Sequence, residues 1–119
     1  MKQQNFSKGK AGENLAVSFL EKQGFKIIEK NWRFSRMGEI DIIAQDKNTL
    51  VFIEVKARSS NFFGNPLESV DEKKFNKIQK LAEIYLSQNP NNSYEGFRFD
   101  LIGILLKEKP EINYIKGIY

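Results

Sequence analysis

Two runs rich in isoleucine, valine and phenylalanine, Gly38 to Gln45 and Leu50 to Arg58, flank the polar stretch Asp46-Lys47-Asn48-Thr49. That pattern predicts a β-hairpin. A turn centred on Lys47-Asn48 sets Asp46 opposite Thr49, Asp41 opposite Glu54 and Glu39 opposite Lys56. Directly opposed residues share a face, with Cβ atoms roughly 5 Å apart. The Asp41 and Glu54 carboxylates and the Lys56 ammonium therefore gather on one face at the open end of the hairpin, with Glu39 beside them. The other face carries Ile40, Ile42 and Ala44 against Val51, Ile53 and Val55, a core pattern.

A chain of 119 residues fits one domain, 1–119, and 40% hydrophobic residues are enough for its core. The net charge of +4 suits a polyanionic partner without requiring one. The sequence has no Cys and no His. Zinc fingers, thiol nucleophiles and Ser-His-Asp triads are thereby excluded. A catalytic metal would be held by oxygen ligands, which makes Mg²⁺ or Mn²⁺ the expected cofactor. The opening residues lack the apolar run of a signal peptide, and no stretch approaches the roughly 20 apolar residues of a membrane span. A cytoplasmic protein with no membrane partner is expected.

Along the chain, residues 1–6 read as a flexible arm. Ser7 can cap a helix over about 9–23, with Gly24 as its stop and Leu15, Ala16, Phe19 and Leu20 as its apolar stripe. Glu13 sits on or beside that stripe, either as a solvated acid near a helix N-terminus or as a site residue. A first strand covers about 25–33. Arg33 and Arg36 follow, next to the acidic end of the hairpin, as solvated charges or phosphate contacts. Residues 59–67 read as a loop bearing Phe62 and Phe63, which either anchor it or stack on bases. Ser69 and Glu72 have capping-box spacing and open a helix over about 70–87. Val70, Ile78, Leu81, Ala82 and Tyr85 are its buried stripe. Lys73, Lys77 and Lys80 lie together on another side, as a solvated face or a phosphate-contacting ridge. Strands over 97–106 and about 111–119 complete the chain. The third strand, long helix and fourth strand fit a right-handed parallel crossover, and the first three strands an antiparallel meander. The expected result is an α/β fold with a mixed sheet flanked by helices.

Phosphodiester hydrolysis needs an activated water, an in-line approach and charge stabilisation on phosphate oxygens, much of which Mg²⁺ can supply. Mg²⁺ takes only a few carboxylates from a protein. Asp41 and Glu54 are suitable ligands, and the Val55 carbonyl could add an oxygen. Lys56 could orient or deprotonate water, or stabilise transition-state charge. The same acids could instead be satisfied by Lys56 and Arg58 as a plain ion-pair network.

The order Glu13, Gly38-Glu39-Ile40-Asp41, Glu54-Val55-Lys56 and Arg98-Phe99-Asp100 resembles the YraN-like proteins of the PD-(D/E)XK nuclease superfamily, related to archaeal Holliday-junction resolvases. The likeness covers about residues 7–118. Its most specific parts are Gly-Lys-Ala-Gly-Glu at 9–13 and the Gly-Glu-Ile-Asp run. It implies a restriction-endonuclease-like αβββαβ core, Asp41 and Glu54 as divalent-metal ligands, Lys56 as the catalytic lysine and Glu13 as a supporting acid. Ile40 stands where the superfamily's name has proline. Gln79 has Glu83 four residues on, so the Gln-X-X-X-Tyr signature of some relatives is absent. The resulting expectation is a Mg²⁺-dependent DNA endonuclease for branched, recombination or repair intermediates, with Arg33, Arg36, Arg58, Lys73, Lys77 and Lys80 contacting nucleic acid. Resolvase relatives suggest a homodimer. The alternatives are a non-catalytic nucleic-acid-binding module on a nuclease fold, or a protein-interaction scaffold.

Overall fold

The computed structural model describes residues 2–59, 72–90 and 93–118, with side chains from residue 9 onward. Its elements run α1 (Lys2–Lys22), β1 (Lys26–Arg33), β2 (Glu39–Asp46), β3 (Thr49–Arg58), α2 (Glu72–Gln88), β4 (Gly96–Leu105) and β5 (Glu111–Ile115). This is the expected αβββαβ order with a further edge strand. One element differs at its start. Helix α1 begins at Lys2, inside the segment expected to be a loose arm. Residues 2–8 contain no proline, and their lysine and glutamine are good helix formers, so nothing local stops the helix there. Ser7, expected as the N-cap, therefore lies inside the helix and does not cap it. The Ser69 half of the capping box, Val70, Phe62 and Phe63 lie outside the described residues.

The five strands form one mixed sheet in sequence order, β1-β2-β3-β4-β5. The β2–β3 ladder pairs Asp46 with Thr49, Ala44 with Val51 and Ile42 with Ile53, the register that the turn position predicts. Lys47, in the turn, adopts a left-handed φ of 56°. Strands β3 and β4 are parallel along their whole length, joined by the α2 crossover, which leaves β3 as the central strand.

The helices cover opposite faces. On one side Ala16 and Leu20 of α1 pack on Ile42, Ala44, Val51, Ile53, Ile102 and Ile104. On the other, Ile78, Leu81, Ala82 and Tyr85 of α2 pack on Ile43, Leu50, Phe52 and Phe99. Ile40 departs from the expected pattern: it belongs to the α2-side core with Trp32, not to the α1-side core with Ile42. Residues two apart on a regular strand share a face, so the pleat of β2 reverses at Asp41.

The α1-side core also encloses a fully buried acid, Asp100 of β4. Its carboxylate accepts hydrogen bonds from Arg98 Nε at 3.1 Å, from the Gly117 amide at 2.8 Å and from the Tyr114 hydroxyl. Arg98 also donates to Asp46 at 2.9 Å and lies over the Phe25 ring. Burial of a charge is tolerated when it is paired and hydrogen-bonded in this way. The Arg98-Phe99-Asp100 run thus ties β4 and β5 to the turn of the β2–β3 hairpin, away from its open end.

Candidate metal and nucleic-acid site

Beyond Ile42 and Ile53 the two hairpin strands carry no further ladder pair. There the Asp41 carboxylate does the work of a backbone acceptor, its Oδ2 taking the Val55 N–H at 2.8 Å. Glu54 stands next in the chain to Val55, near enough for its charge to act on the Asp41 carboxyl. Burial, reinforced by the charge on Glu54, pushes the Asp41 carboxyl up to about 7. The expected gathering of Asp41 and Glu54 is therefore present. Its geometry is that of a side chain bridging to the next strand's amide rather than of two simply opposed residues.

Lys56, two residues on, stands 3.9 Å from Glu54 Oε1. Burial and the adjacent Lys74 pull its ammonium below the usual lysine value. Glu39, expected opposite Lys56, instead pairs with Arg33 at 3.5 Å in a partly exposed ion pair. Lys74 is a residue the sequence reading missed: from α2 it reaches Glu54 Oε1 at 3.4 Å. Its only signal was its place beside Lys73, in a helix whose exposed lysines all look alike.

A cleft of about 940 Å³ opens at this end of the hairpin, and Glu13, Asp41, Val55 and Lys56 line it. Gly12 sets the position of Glu13. A Cβ at Gly12 would lie 2.5 Å from the Ala57 Cβ, so glycine lets α1 approach β3 at this point. Glu13 Oε1 accepts a hydrogen bond from Asn31 Nδ2 at 3.0 Å. Among the described residues, no three acids stand close enough to hold one ion together, so Glu13 flanks the Asp41–Glu54 pair. The cleft wall is basic as well: Lys10, Lys30 and Arg33 line it.

The other arginines and lysines expected to contact nucleic acid are dispersed. Arg36 is exposed on the β1–β2 turn, and Arg58 is half-buried at the end of β3. Lys73, Lys77 and Lys80 are exposed on α2, outside the cleft wall. The stem of Lys77 lies beside Gly38, whose left-handed φ of 124° turns the chain into β2.

Residues 12–104, which hold every one of these acids, match the family described as Uncharacterised protein family UPF0102. The chain belongs to that family. A UPF0102 protein of Natranaerobius thermophilus is 44% identical over 117 residues, covering 97% of this chain and 98% of its own. One of Dictyoglomus turgidum is 45% identical over 104 residues, covering 87% and 86%. This is the YraN-like family that the sequence resembles. Among solved structures, the Ca²⁺ complex of Pyrococcus furiosus SfsA aligns with 94% of this UPF0102 chain at 16% identity and a TM-score of 0.36. The chain spans 63% of that protein's length, and a likeness of this size carries no argument about the site. No helix among the described residues is long and apolar enough to cross a membrane.

Proposed function

We propose that this protein is a divalent-metal-dependent DNA endonuclease that hydrolyses phosphodiester bonds in branched recombination or repair intermediates, acting in the cytoplasm as a homodimer. The observation that carries this reading is the placing of Asp41 and Lys56 in the wall of one cleft with Lys10, Lys30 and Arg33, with Glu54 outside that wall but near enough for its charge to act on the Asp41 carboxyl. The charge on Glu54 raises the proton affinity of the Asp41 carboxyl, and a cation beside them relieves that repulsion. The donor set fits Mg²⁺ or Mn²⁺: hard carboxylate oxygens from Asp41 and Glu54 and the Val55 carbonyl, with no softer His or Cys ligand in the chain.

A bound divalent ion would supply charge neutralisation at the scissile phosphate and a lower pKa for an attacking water. The chain's own residues do the rest. Lys10, Lys30 and Arg33 draw the nucleic-acid backbone into the cleft and hold its phosphates. Lys56 orients the water and offers an ammonium to charge developing on the phosphate oxygens. Glu13, from the facing helix, accepts hydrogen bonds from that water. Arg36, Arg58, Lys73, Lys77 and Lys80 extend the basic surface beyond the cleft.

The test is a cleavage screen on duplex, single-stranded, flapped and four-way DNA with Mg²⁺ or Mn²⁺. Asp41→Asn and Lys56→Ala should each remove at least about 100-fold of the activity, of the order lost with a transition-state contact, while circular dichroism reports an intact fold. Unchanged cleavage by both variants sinks the site assignment. One observation favours a second reading, a non-catalytic nucleic-acid-binding module: Glu54 is already engaged by the Lys56 and Lys74 ammoniums. That module binds DNA with a steep salt dependence and never cuts it. The protein-scaffold alternative joins the exposed lysines of α2 to Phe62 and Phe63, and the two phenylalanines lie outside the described residues.

A further inference from the structure

Asn31 lies within β1, with ladder pairs on both sides, yet its φ is 54°. Left-handed backbone is uncommon away from glycine, and asparagine is among the residues that tolerate it. No turn demands it here, because the strand continues to Arg33. The register pairs Lys30 with Ile42 and Trp32 with Ile40, which puts Asn31 across from Asp41. At this same point β2 reverses its pleat, Ile42 packing toward α1 and Ile40, with Trp32, toward α2. Adjacent strands thus share one irregularity, and its two central side chains, Asn31 and Asp41, both line the cleft. The Asn31 amide there donates to Glu13 Oε1 at 3.0 Å.

We propose that Asn31 is a positioning residue of the metal site: its left-handed backbone turns the β1–β2 pair so that Asp41 enters the cleft, and its amide fixes the Glu13 carboxylate beside it. This inference rests on the nuclease reading above. Strained backbone persists where the surrounding structure holds it, and such positions cluster at functional sites. A carboxylate with one oxygen held by an amide loses the rotamer freedom that would otherwise let it swing into solvent. Partners of this kind around a metal site control its affinity.

Asn31→Gly separates the two roles, because glycine adopts a left-handed φ without strain but brings no amide. Isothermal titration with Mn²⁺ should show about a 10-fold loss of affinity in Asn31→Gly, the low end for residues that orient ligands, with an unchanged melting profile. In a Glu13→Ala background the same substitution should cause no further loss. Wild-type affinity in Asn31→Gly overturns the proposal alone. So does an equal loss with and without Glu13, since the amide would then act elsewhere. Failure of the wild-type protein to bind Mn²⁺ overturns the nuclease reading, and the proposal with it.

Discussion

Lys74 Nζ stands 3.4 Å from Glu54 Oε1, nearer than Lys56, which lies 3.9 Å from the same oxygen. A helix on one face of the sheet thus sends an ammonium to an acid that the central strand supplies. That ammonium sits beside the same carboxylate a divalent ion would need. Lys74→Met should therefore tighten Mn²⁺ binding several-fold in isothermal titration, through removal of a like charge. The pair is partly exposed, so the stability change should stay within about 1 kcal/mol, read by urea denaturation. Weaker Mn²⁺ binding in the variant would show that Lys74 supports the site instead of competing for it.

The Asp41 carboxyl, held up to about 7 against an ordinary 3.8, makes stability depend on pH in a defined direction. A group whose folded value is raised favours the folded state while it stays protonated. That contribution is complete below about pH 4 and is lost as pH rises through about 7. Asp41→Asn mimics the protonated form and can still accept the Val55 amide. It should be more stable than the wild type at pH 8, by a few kcal/mol at most, and lose that advantage at pH 4. Mg²⁺ at pH 8 should stabilise the wild type and leave Asp41→Asn unchanged. Cleavage should fall as pH drops below about 7, where protons compete for the carboxylate.

The approach of α1 to β3 is a matter of one atom. Gly12→Ala places a Cβ 2.5 Å from the Ala57 Cβ, so backbone must shift. The gain in helix propensity, up to about 1 kcal/mol, should be outweighed by an overpacking cost of about 1–3 kcal/mol. Thermal unfolding should show Gly12→Ala to be destabilised. Pairing it with Ala57→Gly, which removes the opposing methyl, should restore much of the loss.

The buried Asp100 belongs to a structural network apart from the cleft. Its charge is matched by Arg98, Tyr114 and the Gly117 amide. Asp100→Ala leaves those donors facing an apolar gap and should cost about 3–5 kcal/mol in urea unfolding. Its Mn²⁺ affinity, measured on the folded fraction, should match the wild type, because the network serves the hairpin turn and not its open end.

The hairpin was legible because alternation and a short polar turn together leave one register, and Asp41, Glu54 and Lys56 came with it. The face of Ile40 was not. Alternation predicts faces only while the pleat is regular, and one left-handed residue on the neighbouring strand suffices to reverse it. Asparagine at position 31 was the sole local hint, and asparagine also occurs as an ordinary polar strand residue. Glu13 stood out for its place beside an apolar stripe, yet its partner could not be read, since Asn31 lies 18 residues away on another element. Lys74 was hidden for a similar reason. Its reach to Glu54 depends on how α2 lies over the sheet, which a row of exposed lysines does not disclose.

The pairing of β3 has a mechanical consequence for the acids. Parallel bonding to β4 runs on through Glu54, Val55 and Lys56 to Arg58, so that wall has the stiffness of the sheet's centre. Asp41 stands beyond the last β2–β3 pair and is joined to β3 through the Val55 amide. The site thus has one fixed jaw and one tethered jaw. In the proposed metal site, adjustment to ions of different radius would fall to the β2 side.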